Sequence, residues 1–331
     1  MSSTTEVPRT APDRALGRLL DRAAGALSHS HPELATELLA RAQREHEPPD
    51  PFDSSTGDAD VDRFRSFGYL VLPGFFDREL ICDLREEMVS TMLAVHGDRY
   101  HERPAMSGMA GHYTCMLGPW APRTVGLVDS RRLVHLAERL VGGPVLPSPC
   151  DTQGILYFDH AGWHRDTGIA IRGVKFVAYL EPLAADSGAL RVLPGSHRLV
   201  DSALGHLYSL DVDVPDVPGQ VLATAPGDVI AFDPLLYHAS WGGKDRHQWS
   251  TMYVRDAIAA SWREALLDWY ADGVGSVGEL PDGYRPFDRS WVEQGSGDIC
   301  DPALAQRHMW MYRFHHLGVL GSYGVDDAFR P

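Results

Sequence analysis

A histidine and an aspartate stand two residues apart in Gly162-Trp163-His164-Arg165-Asp166-Thr167-Gly168. On an extended segment the side chains at i and i+2 project from the same face, so one imidazole and one carboxylate can converge on a single ion. A second imidazole from a distant strand would complete a two-histidine, one-carboxylate face. That arrangement leaves open coordination positions on non-heme iron. His238 can supply it, just beyond the strand-like run that follows Pro226-Gly227-Asp228. The same spacing recurs in His96-Gly97-Asp98, but there it closes an amphipathic helix and reads as a solvated surface pair.

Elements must carry these residues to one place. Asp62–Phe67 reads as a short helix, and Gly68–Leu72 as a compact strand stopped by Pro73-Gly74. Asp77 caps a long helix with Leu80, Leu84, Met88 and Met92 on one face. A second helix covers Arg131–Leu140 and ends at Gly142-Gly143. Strands are expected at Thr152–Phe158, Val174–Leu180, Ala189–Leu193, Asp228–Phe232 and Ser250–Arg255, each short, β-branched or aromatic, and bounded by Gly, Pro or Asp. Many short strands without alternating helices favour an antiparallel sandwich or barrel over a parallel doubly wound sheet. Upstream, residues 14–45 read as two helices, the second starting at Ser30-His31-Pro32-Glu33, and residues 47–60 as a linker rich in Pro, Asp and Ser.

Four blocks occur together and in order: Phe67-Gly68-Tyr69-Leu70-Val71-Leu72-Pro73-Gly74-Phe75-Phe76, the His164-Arg165-Asp166 segment, Ser187-Gly188-Ala189-Leu190-Arg191-Val192-Leu193-Pro194-Gly195-Ser196-His197, and Pro226-Gly227-Asp228 through His238-Ala239-Ser240. Over roughly residues 61–256 they resemble the phytanoyl-CoA dioxygenase family of 2-oxoglutarate oxygenases. The resemblance implies a mainly β protein with flanking helices (α+β) and a double-stranded β-helix core, the cupin-like jelly roll. It implies iron(II) held by His164, Asp166 and His238, with 2-oxoglutarate as cofactor and dioxygen as co-substrate. It also implies an arginine, shortly after the second histidine, for the distal carboxylate of 2-oxoglutarate. Only arginine presents a planar fork to a carboxylate. Arg246 and Arg255 are the candidates, and Arg246, at the start of its strand, matches the role better. Ser240 matches a position that often adds a hydroxyl to the same carboxylate, and Gln153, on the strand leading to His164, is placed to reach cofactor or substrate. The carboxylate of Asp166 argues for hydroxylation, or another oxygen-driven oxidation, over halogenation, since related halogenases carry a small residue there.

Bland readings compete at the other sites. His197 reads as a turn residue, and His308, His315 and His316 as packing or surface histidines. Trp163, Arg165, Thr167 and Trp241 flank the ligands and are candidates for the pocket wall. The pattern and the resemblance together divide the chain into a helical arm and linker (1–60), an oxygenase core with helical support (61–261) and a C-terminal extension packed on it (262–331).

With 331 residues, 44% hydrophobic and 23% charged, the composition is that of an ordinary globular protein. A net charge of −15 argues against nucleic acid or an anionic membrane as the partner. Cys82, Cys115, Cys150 and Cys300 form no CxxC pair and suit reduced thiols of a cytoplasmic protein. The Ala-, Gly-, Arg- and Pro-rich usage is that of a GC-rich bacterial genome, a setting in which such enzymes tailor natural products. The expected function is thus oxidation of a small molecule. The alternatives are a cupin-like metal enzyme without 2-oxoglutarate and a non-catalytic jelly-roll binding protein. The N-terminal helices are a candidate surface for homo-oligomerisation.

Overall fold

A computed structural model describes residues 22–27, 32, 35, 58–103, 111–167, 172–199, 209–210, 212–217 and 219–255. Helix α1 (Ala59–Phe67) begins earlier than expected, inside the stretch read as linker. The Asp58 carboxylate accepts from the N–H groups of Asp60 and Val61 and so caps it. Gly68, at φ 81°, ends the helix and turns the chain into β1 (Tyr69–Leu72). Helix α2 (Arg78–His96) is capped by Asp77 and buries Ile81, Leu84, Met88 and Met92. His96 is not simply solvated: its Nε2 lies 2.8 Å from the Tyr113 carbonyl and its ring packs on His112.

After β2 (Gly111–Cys115) come helices α3 (Pro122–Val128) and α4 (Arg131–Val141). The buried carboxylate of Glu87, on α2, accepts from the Arg123 and Thr124 N–H groups and so caps α3. The remaining strands are β3 (Val145–Tyr157), β4 (Ala161–His164), β5 (Gly173–Tyr179), β6 (Ser187–Val192), β7 (Gln220–Leu222), β8 (Val229–Phe232), β9 (His238–Gly242) and β10 (Arg246–Arg255). They form two antiparallel sheets, a six-stranded one ordered β1-β8-β5-β10-β3-β2 and a four-stranded one ordered β4-β9-β6-β7. The fold is a jelly-roll sandwich with helices on the outer face of the larger sheet, as the resemblance implied.

Alternation along β5 explains why two cores flank this sheet. Phe176 and Ala178 face outward with Leu84, Met88 and Leu133, while Val177 and Tyr179 face inward with Leu190, Ile230 and Phe232. Gly154 makes room for α2, because a Cβ there would lie 2.5 Å from the Met88 side chain. A third apolar cluster, on the far side of the smaller sheet, joins Trp163, Tyr237 and Val214 to Ala23, Ala24 and Leu27 of the N-terminal segment. The apolar side of residues 22–27 is therefore already covered by the chain's own core, which does not support a role for this helix in oligomerisation. Most of the arm and all of residues 256–331, including His308, His315 and His316, lie outside the described residues. Among the described residues no helix is long and apolar enough to cross a membrane.

Candidate metal centre and its cavity

His164 is the last residue of β4 and His238 the first of β9, and the two are directly paired across the antiparallel ladder. Their rings stand 4.3 Å apart, centroid to centroid. Asp166 follows two residues after His164, its N–H donating to the Pro234 carbonyl at 2.9 Å just before β9 begins. One ligand atom from each of His164, Asp166 and His238 falls within 4.8 Å of the others, a spread that a single ion can span.

The hydrogen bonds behind these side chains decide which atoms are available. Nδ1 of His164 lies 2.8 Å from the Gly162 carbonyl, and Nδ1 of His238 lies 2.9 Å from the Leu236 carbonyl. A carbonyl can only accept, so Nδ1 carries the proton on both rings and Nε2 keeps its lone pair. Burial, and then the neighbouring His164, push His238 down to about 4. It is therefore neutral, as a ligand must be, at ordinary pH. For Asp166 burial acts upward, but Lys175, His238 and His164 outweigh it and hold the carboxyl below its usual range. Two imidazoles and a carboxylate of this kind form an iron-type donor set.

The three residues open onto a cavity between the sheets, whose wall includes Tyr157, Tyr179, Lys175, Phe232, Ser240 and Gln248. Ser240 accepts from the Ala161 N–H at 3.1 Å through its hydroxyl oxygen, so its proton is directed elsewhere. Arg246 stands one step behind the cavity wall, stacked 4.9 Å over the Tyr157 ring and 2% exposed. It donates to the Gly188 carbonyl at 2.8 Å and to the Asp159 carbonyl at 2.5 Å, while its buried Nε–H has no hydrogen-bond partner among the described residues. A buried, unsatisfied guanidinium N–H calls for an acceptor, and the distal carboxylate of 2-oxoglutarate is a fitting one. Arg255, the other candidate, lies at the opposite end of β10 with its side chain against Gly143.

Register orders the cavity from end to end. On β10, Met252 pairs with Lys175 and Gln248 with Tyr179, and Arg246 lies beyond Gln248. The Asp166–Lys175 end and the Tyr179–Arg246 end are thus separated along the strands. Burial drives the Tyr179 hydroxyl up to about 12, so it is a neutral donor beside Arg246.

Several candidate residues lie away from this cavity. Trp163, Arg165 and Thr167 are fully buried but do not line this cavity. Trp163 donates to the Val214 carbonyl in the apolar cluster beyond the smaller sheet, and Arg165 lies 4.6 Å over the Tyr237 ring. Trp241 lies on an outer groove with His160, Asp213 and Asp216. Gln153 is half-buried on β3, paired with Ser250 and Cys115, and is outside the cavity lining. Conversely, the sequence reading overlooked Lys175, Tyr157, Tyr179 and Gln248. A lysine in the otherwise apolar run Val174-Lys175-Phe176-Val177-Ala178 was the available signal.

The uncharacterized protein Rv1501 of Mycobacterium tuberculosis is 26% identical over 271 residues, 71% of this chain and 94% of its own. Among solved structures, the epimerase SnoN in complex with Fe3+, alpha ketoglutarate and nogalamycin RO aligns with TM-score 0.48 and 18% identity, covering 69% of this chain and 91% of that one. EvdMO1 aligns with TM-score 0.45 and 23% identity, covering 60% of this chain and spanning only half of EvdMO1. The profile of the family described as phytanoyl-CoA dioxygenase matches residues 64–247, more than half of the chain, and takes in His164, Asp166, His238 and Arg246. The chain therefore belongs to the phytanoyl-CoA dioxygenase family of iron- and 2-oxoglutarate-dependent oxygenases.

Proposed function

We propose that the protein is a dioxygenase that hydroxylates, or otherwise oxidises, a small molecule in bacterial natural-product biosynthesis. In this reading His164, Asp166 and His238 hold the iron. The observation that carries it is the facing pair His164–His238, each ring fixed through Nδ1 near a carbonyl, with one ligand atom from each ring and one from Asp166 within 4.8 Å of one another. When bound, iron and 2-oxoglutarate supply oxidative decarboxylation with dioxygen, giving succinate and carbon dioxide and oxidising the substrate. Arg246 takes the distal carboxylate of 2-oxoglutarate, helped by the Ser240 and Tyr179 hydroxyls. Val177, Leu190, Phe232 and Ala239 form an apolar wall. Such a wall excludes water and strengthens every charged contact within it.

Anaerobic titration of the metal-free protein with iron(II) and then 2-oxoglutarate tests the proposal. A weak visible charge-transfer band is expected, absent in His164→Ala and weakened in Arg246→Ala. Iron binding without the band would make the protein a cupin-like metal enzyme that does not use 2-oxoglutarate. Binding of neither would make it a jelly-roll binding protein without this chemistry.

A further inference from the structure

Lys175 lines the cavity but has no part in the iron or 2-oxoglutarate contacts assigned above. It sits on β5, its side chain only 10% exposed. Burying an ammonium is costly unless carboxylates compensate it. Two do so: Nζ lies 3.2 Å from Oδ2 of Asp166 and 3.8 Å from Oδ1 of Asp151. Asp151 is itself fixed by the Ser148 hydroxyl, which donates to its Oδ2 at 2.7 Å. An ammonium held between two carboxylates has no surplus positive charge, so this is a poor anchor for an anionic cosubstrate or substrate.

The two oxygens of Asp166 are not equivalent. Oδ1 stands 3.6 Å from Nε2 of His238, on the side where the candidate ligand atoms converge. Oδ2 is turned to Lys175. A carboxylate can bind a metal through one oxygen or through both, and a second oxygen would fill a position that an oxygenase needs open. We infer that Lys175 is a positioning residue which, by holding Oδ2, restricts Asp166 to one-oxygen ligation and keeps a coordination position open beside the metal. The inference rests on the proposed iron site. It also fixes the sign of one effect. The Lys175 charge repels a cation, so Lys175 should not tighten iron binding; its contribution is to what the iron can bind next.

The test compares wild type with Lys175→Met and Lys175→Arg in their iron(II)–2-oxoglutarate complexes. Nitric oxide, a stable stand-in for dioxygen, is titrated anaerobically and followed by electron paramagnetic resonance of the nitrosyl complex. Lys175→Met is expected to bind iron at least as tightly as wild type and nitric oxide at least tenfold more weakly. Lys175→Arg, which retains a charged donor, is expected to recover most of that loss. If Lys175→Met does not fold, Lys175→Gln is read in the same way. Unchanged nitric oxide affinity in the variant overturns the inference. So does a loss of iron affinity and thermal stability with normal nitric oxide binding at saturating iron, which would make Lys175 merely structural. If wild-type protein shows no charge-transfer band, the iron and 2-oxoglutarate reading beneath it fails instead.

Discussion

Gly188 packs its bare Cα against Arg246, and Gly188→Ala should damage cofactor binding from outside the cavity. A Cβ there would lie 2.5 Å from Cδ, 2.6 Å from Nε and 2.8 Å from Cζ of Arg246. Ordinary carbon contacts begin near 3.5 Å, so the guanidinium must retreat by roughly 1 Å. Arg246 is poorly placed to yield, being buried and tied to the Gly188 and Asp159 carbonyls. A hydrogen bond to a charged group contributes about 1.5–3 kcal/mol. Losing alignment of one such bond should weaken 2-oxoglutarate by about 10- to 150-fold, at about 1.4 kcal/mol per decade. Gly188 also holds φ at 92°, and a side chain in such a conformation adds a stability cost of about 1–3 kcal/mol. The two effects are separable. Gly74 likewise has positive φ, at 58°, but nothing lies within 4 Å of its would-be Cβ, so Gly74→Ala is the control for backbone strain alone. The assay is the charge-transfer titration at fixed iron, with denaturant unfolding run in parallel. Gly188→Ala should lose cofactor affinity and stability together, and Gly74→Ala stability alone. Gly188→Ala binding 2-oxoglutarate within twofold of wild type, despite lower stability, would refute the assignment of Arg246 as anchor.

Two further outcomes follow from the same contacts. Burial raises Asp233 to about 7, against the opposing Leu235 N–H, Arg172 and Arg165. The folded protein therefore keeps a proton that the unfolded chain releases above about pH 4. Stability should then fall as pH rises from about 4 to 7 and level off above, by at most about 4 kcal/mol. Asp233→Asn should flatten this slope and raise stability at pH 8, and an unchanged slope in denaturant unfolding would exclude Asp233 as its source. Adding iron(II) at about 100 times its dissociation constant should stabilise the fold by about 2.7 kcal/mol, seen as a melting temperature raised by several degrees and reversed by a chelator. His164→Ala should show no such rise; an equal rise in that variant would place the stabilising metal elsewhere.

The candidate metal ligands could be picked out because coordination demands particular residue types at a spacing that an extended chain places on one face. The same period-two geometry sends Trp163 and Arg165 to the opposite face, where they are buried against Val214 and Tyr237. Strands β4 and β9 were not legible: Ala161–His164 and His238–Gly242 are short, contain glycine, and owe their extended form to pairing with each other and, for β9, with β6. Helix α3 was missed for a related reason, since its N-terminus is capped by Glu87 from another helix rather than by a neighbouring residue. Arg246 and Arg255 could be ranked from motif position, but only strand register shows one beside Tyr157 and the other at the far end of β10 beside Gly143.

Lys175 is the sharpest case of a residue that sequence could flag but not interpret. A lysine within an apolar strand signals either an error in the strand assignment or a buried partner. Its partners, Asp151 and Asp166, come from the strand β3 and the turn after β4, so only the closed sandwich brings all three charges together. The ligand set itself can be written as a pattern of residue types. Which oxygen of Asp166 would face a metal, and whether the second would join it, would depend on the Lys175–Asp166 contact, which no linear pattern records. If Lys175 controls that choice, two chains with the same His-x-Asp and distal His pattern can hold iron equally well and differ in the position they leave open.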